Sequence, residues 1–139
     1  MTECAFVDTN IFLRFLLSDI EDQSLAAASL FEEVALGQRC LMTSATVVFE
    51  ALFTLTKSYR IDRDDAARKL RAILELDTIL VSDKTALMHA FDLLAEFRQL
   101  SLADCYHAAL SLEHCKGDIY TFDKDFRRVP GITRLDPGA

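Results

Sequence analysis

Glycine is scarce in this chain, and its spacing is as informative as its number. Four glycines occur in 139 residues, Gly37, Gly117, Gly131 and Gly138, none closer than seven positions to the next. A Gly-x-Gly-x-x-Gly dinucleotide loop and a phosphate-cradling P-loop both need closer glycines, so both are excluded. With only two prolines as well, the chain lacks the turn residues of a β-sandwich or a low-complexity linker. No apolar run approaches the ~18 residues of a membrane span. Met1-Thr2-Glu3 also lacks the basic start of a secretory leader. A soluble, cytoplasmic protein without membrane association is the expectation. Excess basic charge is missing too. Fifteen Lys and Arg against 22 Asp and Glu leave a net charge of −7, the wrong sign for a general nucleic-acid-binding surface.

Cysteine is present but not in a metal-binding pattern. Cys4, Cys40, Cys105 and Cys115 form no Cys-x-x-Cys pair and no zinc-ribbon spacing. Each lies in an apolar stretch, so reduced, buried thiols acting as small hydrophobes are expected ahead of disulfides or zinc.

What the chain does contain is enough apolar material for one core. At 51% hydrophobic and 27% charged, it is not disordered, and its length suits a single domain spanning 1–139. Short apolar runs alternate with longer stretches of three-four spacing. Strands are expected at 4–7, 40–42, 79–81, 119–122 and 132–135. Helices are expected near 23–36, 45–59, 63–76, 84–97 and 102–116, with Gly37 and Gly117 as left-handed stops. Strands separated by helices imply an α/β fold, a single three-layer α/β/α domain with a mostly parallel central sheet of four or five strands. Function in such sheets collects outside the carboxyl ends of the strands.

Four acids are expected at that edge. Asp8 follows the first strand in Val7-Asp8-Thr9-Asn10, and Asp123 follows the fourth in Thr121-Phe122-Asp123. Helix capping alone explains either of them. Glu50 lies in a helix that follows the second strand, capped by Thr43 or Ser44. Its side chain leans back toward the helix N-terminus, and its neighbours Val47, Val48, Phe49, Ala51, Leu52 and Phe53 are apolar. Asp104 opens the helix that leads to the fourth strand, where Ser101-Leu102-Ala103-Asp104 also fits a capping box. Taken together the four lack an obvious Lys or Arg partner for each. Two like charges about 4 Å apart repel by roughly 4 kcal/mol at an effective dielectric near 20. Such a cluster must protonate or hold cations, and Mg²⁺ or Mn²⁺ are the natural hard ions for oxygen ligands. That chemistry suits metal-assisted phosphodiester hydrolysis.

At these positions the sequence resembles the PIN-domain family, specifically small stand-alone VapC-type toxin ribonucleases. Val7-Asp8-Thr9-Asn10, Glu50, Leu102-Ala103-Asp104 and Thr121-Phe122-Asp123-Lys124-Asp125-Phe126 carry the resemblance, in order and over essentially the whole chain. It implies a Mg²⁺ or Mn²⁺ site made by Asp8, Glu50, Asp104 and Asp123, and endoribonuclease activity on RNA. Asn10 and Thr121 match polar positions expected to hydrogen-bond those carboxylates. The resemblance further implies a homodimer and a cognate antitoxin protein. Asp125 is expected to cap the turn 126–128, with water-mediated metal binding as the alternative, and His107 to lie on a polar helix face. Arg127 and Arg128 are candidates for holding substrate phosphates. The apolar run 11–17 is expected to be mostly core. Alternatives are a non-catalytic PIN-like binding scaffold, an α/β phosphotransfer domain or a phosphatase using Asp123-Lys124-Asp125. The last is disfavoured because 14 residues follow Asp125.

Overall fold

Short apolar runs become strands and the three-four patterned stretches become helices in the computed structural model, which describes residues 4–138. The chain folds as two compact units, one up to Ser82 and one from Asp83.

In the first unit, β1 (Ala5–Phe6), β2 (Leu41–Met42) and β3 (Ile79–Leu80) form a parallel sheet in that order. Register pairs Ala5 with Leu41 and Leu41 with Ile79, then Phe6 with Met42 and Met42 with Leu80. Because side chains alternate across a strand, Leu41 and Ile79 share a face and are both buried. Helices α1 (Thr9–Leu17) and α2 (Glu21–Ala35) connect β1 to β2. Helices α3 (Ala45–Phe53) and α4 (Arg63–Leu74) connect β2 to β3, with a π turn at Thr54–Ser58 between them. The run expected to be core is partly so: Phe12 and Leu13 are buried, while Ile11, Phe15, Leu16 and Leu17 are half-buried. Phe31 of α2 holds both Phe12 and Phe15 in tilted ring contacts, with centroids 5.4 and 4.9 Å away.

In the second unit, α5 (Lys84–Glu96) and α6 (Leu102–His114) pack against each other. Small buried residues, Ala86 and Ala90 on one and Ala108 and Ala109 on the other, allow close approach. A parallel ladder follows, β4 (Asp118–Tyr120) with β5 (Thr133–Leu135). The parallel α/β character holds, with five strands as expected. They pair as a three-stranded sheet and a separate two-stranded ladder rather than as one continuous ladder of four or five. The strands are also shorter than the apolar runs, because each run extends beyond the residues that make ladder bonds.

The cysteine expectation fails in two places. Cys4 and Cys40 are joined by a disulfide, Cα atoms 4.6 Å apart. They immediately precede residues paired in the β1–β2 register, which brings together side chains 36 positions apart in sequence. Cys115 is exposed at the end of α6, and Cys105 is buried and outside the disulfide. In the chain-entropy account a loop of this length contributes about 3–4 kcal/mol, a melting difference on the order of 10 °C. Thermal unfolding with and without reductant should show that drop, and Cys4→Ser should reproduce it without reductant. Coincident midpoints would mean that the bridge carries no stability.

Candidate active site

In the first unit the end of β1 is held by main-chain and side-chain bonds. Val7 N–H donates to the Met42 carbonyl at 2.8 Å, and the Val7 carbonyl accepts the Thr43 hydroxyl at 3.1 Å. Thr43 is 4% exposed, so this bond lies in a dry environment that strengthens it. Asp8 comes next and is the N-cap of α1, one carboxylate oxygen accepting the Thr9 N–H at 2.7 Å. Asn10 is exposed one residue into the helix and makes no side-chain hydrogen bond among the described residues.

Ser44, not Thr43, caps α3, its hydroxyl accepting from Val47 N–H at 3.2 Å. Thr43 is instead the strand clamp just described, a role that sequence spacing did not reveal. Glu50 lies on an exposed face of α3 with Thr46 and Phe53. This face is less buried than its apolar neighbours suggested, because Phe53 is 63% exposed.

In the second unit, Asp104 completes the capping box of α6. Its N–H donates to the Ser101 hydroxyl at 3.1 Å, and its carboxylate accepts the Ser101 N–H at 3.3 Å. Asp123 follows β4 and caps the 3-10 turn Lys124–Arg128, accepting the Asp125 N–H at 2.9 Å. The cap of that turn is therefore Asp123. Asp125 sits inside the turn and pairs with Arg128 at 3.3 Å. The Thr121 hydroxyl accepts the Asp123 N–H at 3.0 Å, so it orients Asp123 through the main chain rather than through the carboxylate. His107 is exposed on α6, as expected. Arg127 donates to the Lys124 carbonyl at 3.3 Å, which leaves its exposed guanidinium in the same turn as Asp123. Burial first, then Asp83 and Glu113, raises the Tyr106 hydroxyl above its ordinary range. Tyr106 therefore stays protonated and is no candidate for a general base.

Some of the chain's other acids are paired with a cation. Asp19, Glu33, Asp65, Glu75, Asp83 and Asp125 each face an Arg or His within 4.0 Å. Asp8, Glu50, Asp104 and Asp123 face none among the described residues. Asp8, Asp104 and Asp123 each accept a main-chain N–H and keep acceptor capacity for another ligand. Two of the four lie in each unit, and no group of three or more His, Cys, Asp or Glu stands at metal-holding distance among the described residues.

With parallel strands, intervening helices and an acid within three residues of the ends of both β1 and β4, the chain has the parts of a PIN-type α/β nuclease domain. Residues 5–132 match the PIN domain family, and the chain belongs to it. Among characterised relatives it is similar to the VapC ribonuclease Mb1869c of Mycobacterium bovis and to Ribonuclease VapC13 of Mycobacterium tuberculosis. It is 31% identical to each over 130 residues, which cover 93% of this chain and 97% of the relative.

Proposed function

We propose that residues 1–139 act as one PIN-type domain, a metal-dependent endoribonuclease that is the toxin of a toxin–antitoxin pair. Asp8, Glu50, Asp104 and Asp123 hold Mg²⁺ or Mn²⁺ in this reading. The observation that carries it is a family match over nearly the whole chain, coinciding with four carboxylates that no cation neutralises. The donor set fits the ion: all four are hard oxygen ligands, and Asp8, Asp104 and Asp123 are pre-oriented by a main-chain N–H while keeping lone pairs to offer. When bound, such an ion supplies Lewis acidity, making water nucleophilic near neutral pH and offsetting charge on the phosphate and leaving oxygens.

The chain's own residues do the rest. The Ser101 N–H fixes the Asp104 carboxylate, while the Thr9 N–H fixes that of Asp8. Thr121 sets the direction of the Asp123 main chain, with Asn10 and Asp125 as further polar support. Arg127 offers a cation for a substrate phosphate, which a protein of net charge −7 must supply locally. A net charge of −7 favours recognition of accessible single-stranded RNA by shape over broad electrostatic attraction. A cognate antitoxin, a homodimer and a cytoplasmic site of action complete the proposal. In that compartment the Cys4–Cys40 bridge would form under oxidising conditions rather than permanently.

Mn²⁺ at about 100 times its dissociation constant should stabilise the native protein by about 2.7 kcal/mol. A raised melting midpoint with Mn²⁺, absent with Na⁺ at equal ionic strength, is the expected outcome. Incubation of purified protein with total RNA and Mg²⁺, followed by mapping of the new ends, tests the activity directly. Absence of both melting shift and cleavage would leave a non-catalytic scaffold.

A further inference from the structure

We propose that Arg134 is the positioning residue of the Thr121–Asp123 turn, supplying the hydrogen bond that Pro137 withholds from the β4–β5 ladder. The inference rests on the reading of Asp123 as a metal ligand and adds a residue that acts through it.

The β4–β5 register pairs Asp118 with Thr133, Ile119 with Arg134 and Tyr120 with Leu135. The first cross-strand bond runs from Thr133 N–H to the Gly117 carbonyl at 2.8 Å. Along a parallel strand, donors to one neighbour recur at every second residue. Leu135 is therefore the next donor, toward Ile119, and residue 137 the one after, toward Thr121. Residue 137 is proline and has no N–H to give. The Thr121 carbonyl instead accepts Arg134 Nη1 at 3.0 Å, in a part-buried bond.

This exchange of a main-chain donor for a guanidinium has a consequence at the site. The ladder stops at Tyr120 and Leu135, and the chain is released to turn at Phe122. Thr121 is then held on both sides: its carbonyl by Arg134, and its hydroxyl against the Asp123 N–H at 3.0 Å. Asp123 in turn receives the Asp125 N–H, and Asp125 faces Arg128. A run of bonds thus connects β5 to the carboxylate of Asp123, and its first bond is charge-assisted, the stronger kind. A proline ending the strand and an arginine three residues earlier act as one device.

The device predicts a rescue. Arg134→Ala should speed hydrogen exchange at the Asp123 and Asp125 amides by about tenfold, and weaken Mn²⁺ binding by about 10- to 100-fold, as loss of a ligand-orienting partner does. Adding Pro137→Ala supplies an N–H at the position where a continued ladder would meet Thr121, and should bring both quantities back toward wild type. Arg134→Lys, which keeps a donor on a long stem, should stay within a few-fold of wild type. It also serves as the comparison should the alanine variant fail to fold. Unchanged exchange in Arg134→Ala, or a loss that Pro137→Ala does not restore, would overturn the proposal. So would lost RNA cleavage with normal exchange and normal Mn²⁺ affinity, since Arg134 would then be touching substrate. Exchange is read without metal or RNA, so a wild-type protein that binds no Mn²⁺ would defeat the metal-site reading while the Arg134 result still stood on its own.

Discussion

Asp104→Asn is expected to lower Mg²⁺-dependent RNA cleavage by on the order of 1,000-fold, beyond the 10- to 100-fold seen when only a ligand's supporting partner is lost. The fold should survive. Asn keeps the shape of the side chain and an oxygen to accept the Ser101 N–H, and the bond from the residue 104 N–H to the Ser101 hydroxyl is untouched. What disappears is a negative charge in the first turn of α6, worth about 0.3–1 kcal/mol against the helix dipole, and the anionic donor that a hard cation needs. Asp8→Asn offers the same separation in the other unit, because Asn caps a helix as well as Asp does. Cleavage rates and urea unfolding of both variants decide the matter. Wild-type cleavage by either one would remove that residue from the mechanism, and a broad, non-cooperative unfolding curve would assign the lost activity to stability instead.

The acids proposed as ligands drew notice in the sequence for a reason that is also the main source of ambiguity. An acid soon after a strand can cap the next helix or turn, as Asp8 and Asp123 do, and Asp104 is the third helical residue of a capping box whose cap is Ser101. Capping and ligation are not exclusive, since one oxygen can accept an N–H while the other stays available. Spacing therefore singled out candidates without distinguishing the two roles, and it put the cap of the 3-10 turn on Asp125, where the structure has Asp123. Most helix positions were readable because three-four periodicity is local, but α1 (Thr9–Leu17) was not among the expected helices, its apolar run 11–17 being broken only by Arg14. The clamp of Thr43 on Val7, the Cys4–Cys40 bridge and the bond from Arg134 to Thr121 were not. Each depends on strand register, which joins residues 36, 36 and 13 positions apart and leaves no periodic trace. The proline at 137 was visible from the start, yet its meaning appears only once it is known which carbonyl it fails to meet.

Register also makes Gly117 the least replaceable glycine of the second unit, and Gly117→Ala is expected to destabilise it by about 4 kcal/mol or more. Two independent terms add. Its φ of +85° lies in the left-handed region, where a Cβ costs roughly 1–2 kcal/mol. A Cβ built there would also meet the Gly131 carbonyl oxygen at a distance no real contact shows, with the Gly131 carbonyl carbon at 3.0 Å. Main chain cannot swing aside as the tip of a side chain can. Moving it would break the bonds that Gly117 itself makes, from its N–H to the Ser111 carbonyl at 3.0 Å and from its carbonyl to the Thr133 N–H at 2.8 Å. The latter starts the β4–β5 ladder, so the displacement would propagate toward Thr121 and Asp123. Gly37→Ala is the matched control: its φ is +76°, but nothing stands within 4 Å of a Cβ there. Only the backbone term remains, and roughly 1–2 kcal/mol is expected. Urea unfolding should therefore show a clearly larger loss of stability for Gly117→Ala. Equal losses would show that the Gly117–Gly131 approach relaxes without penalty.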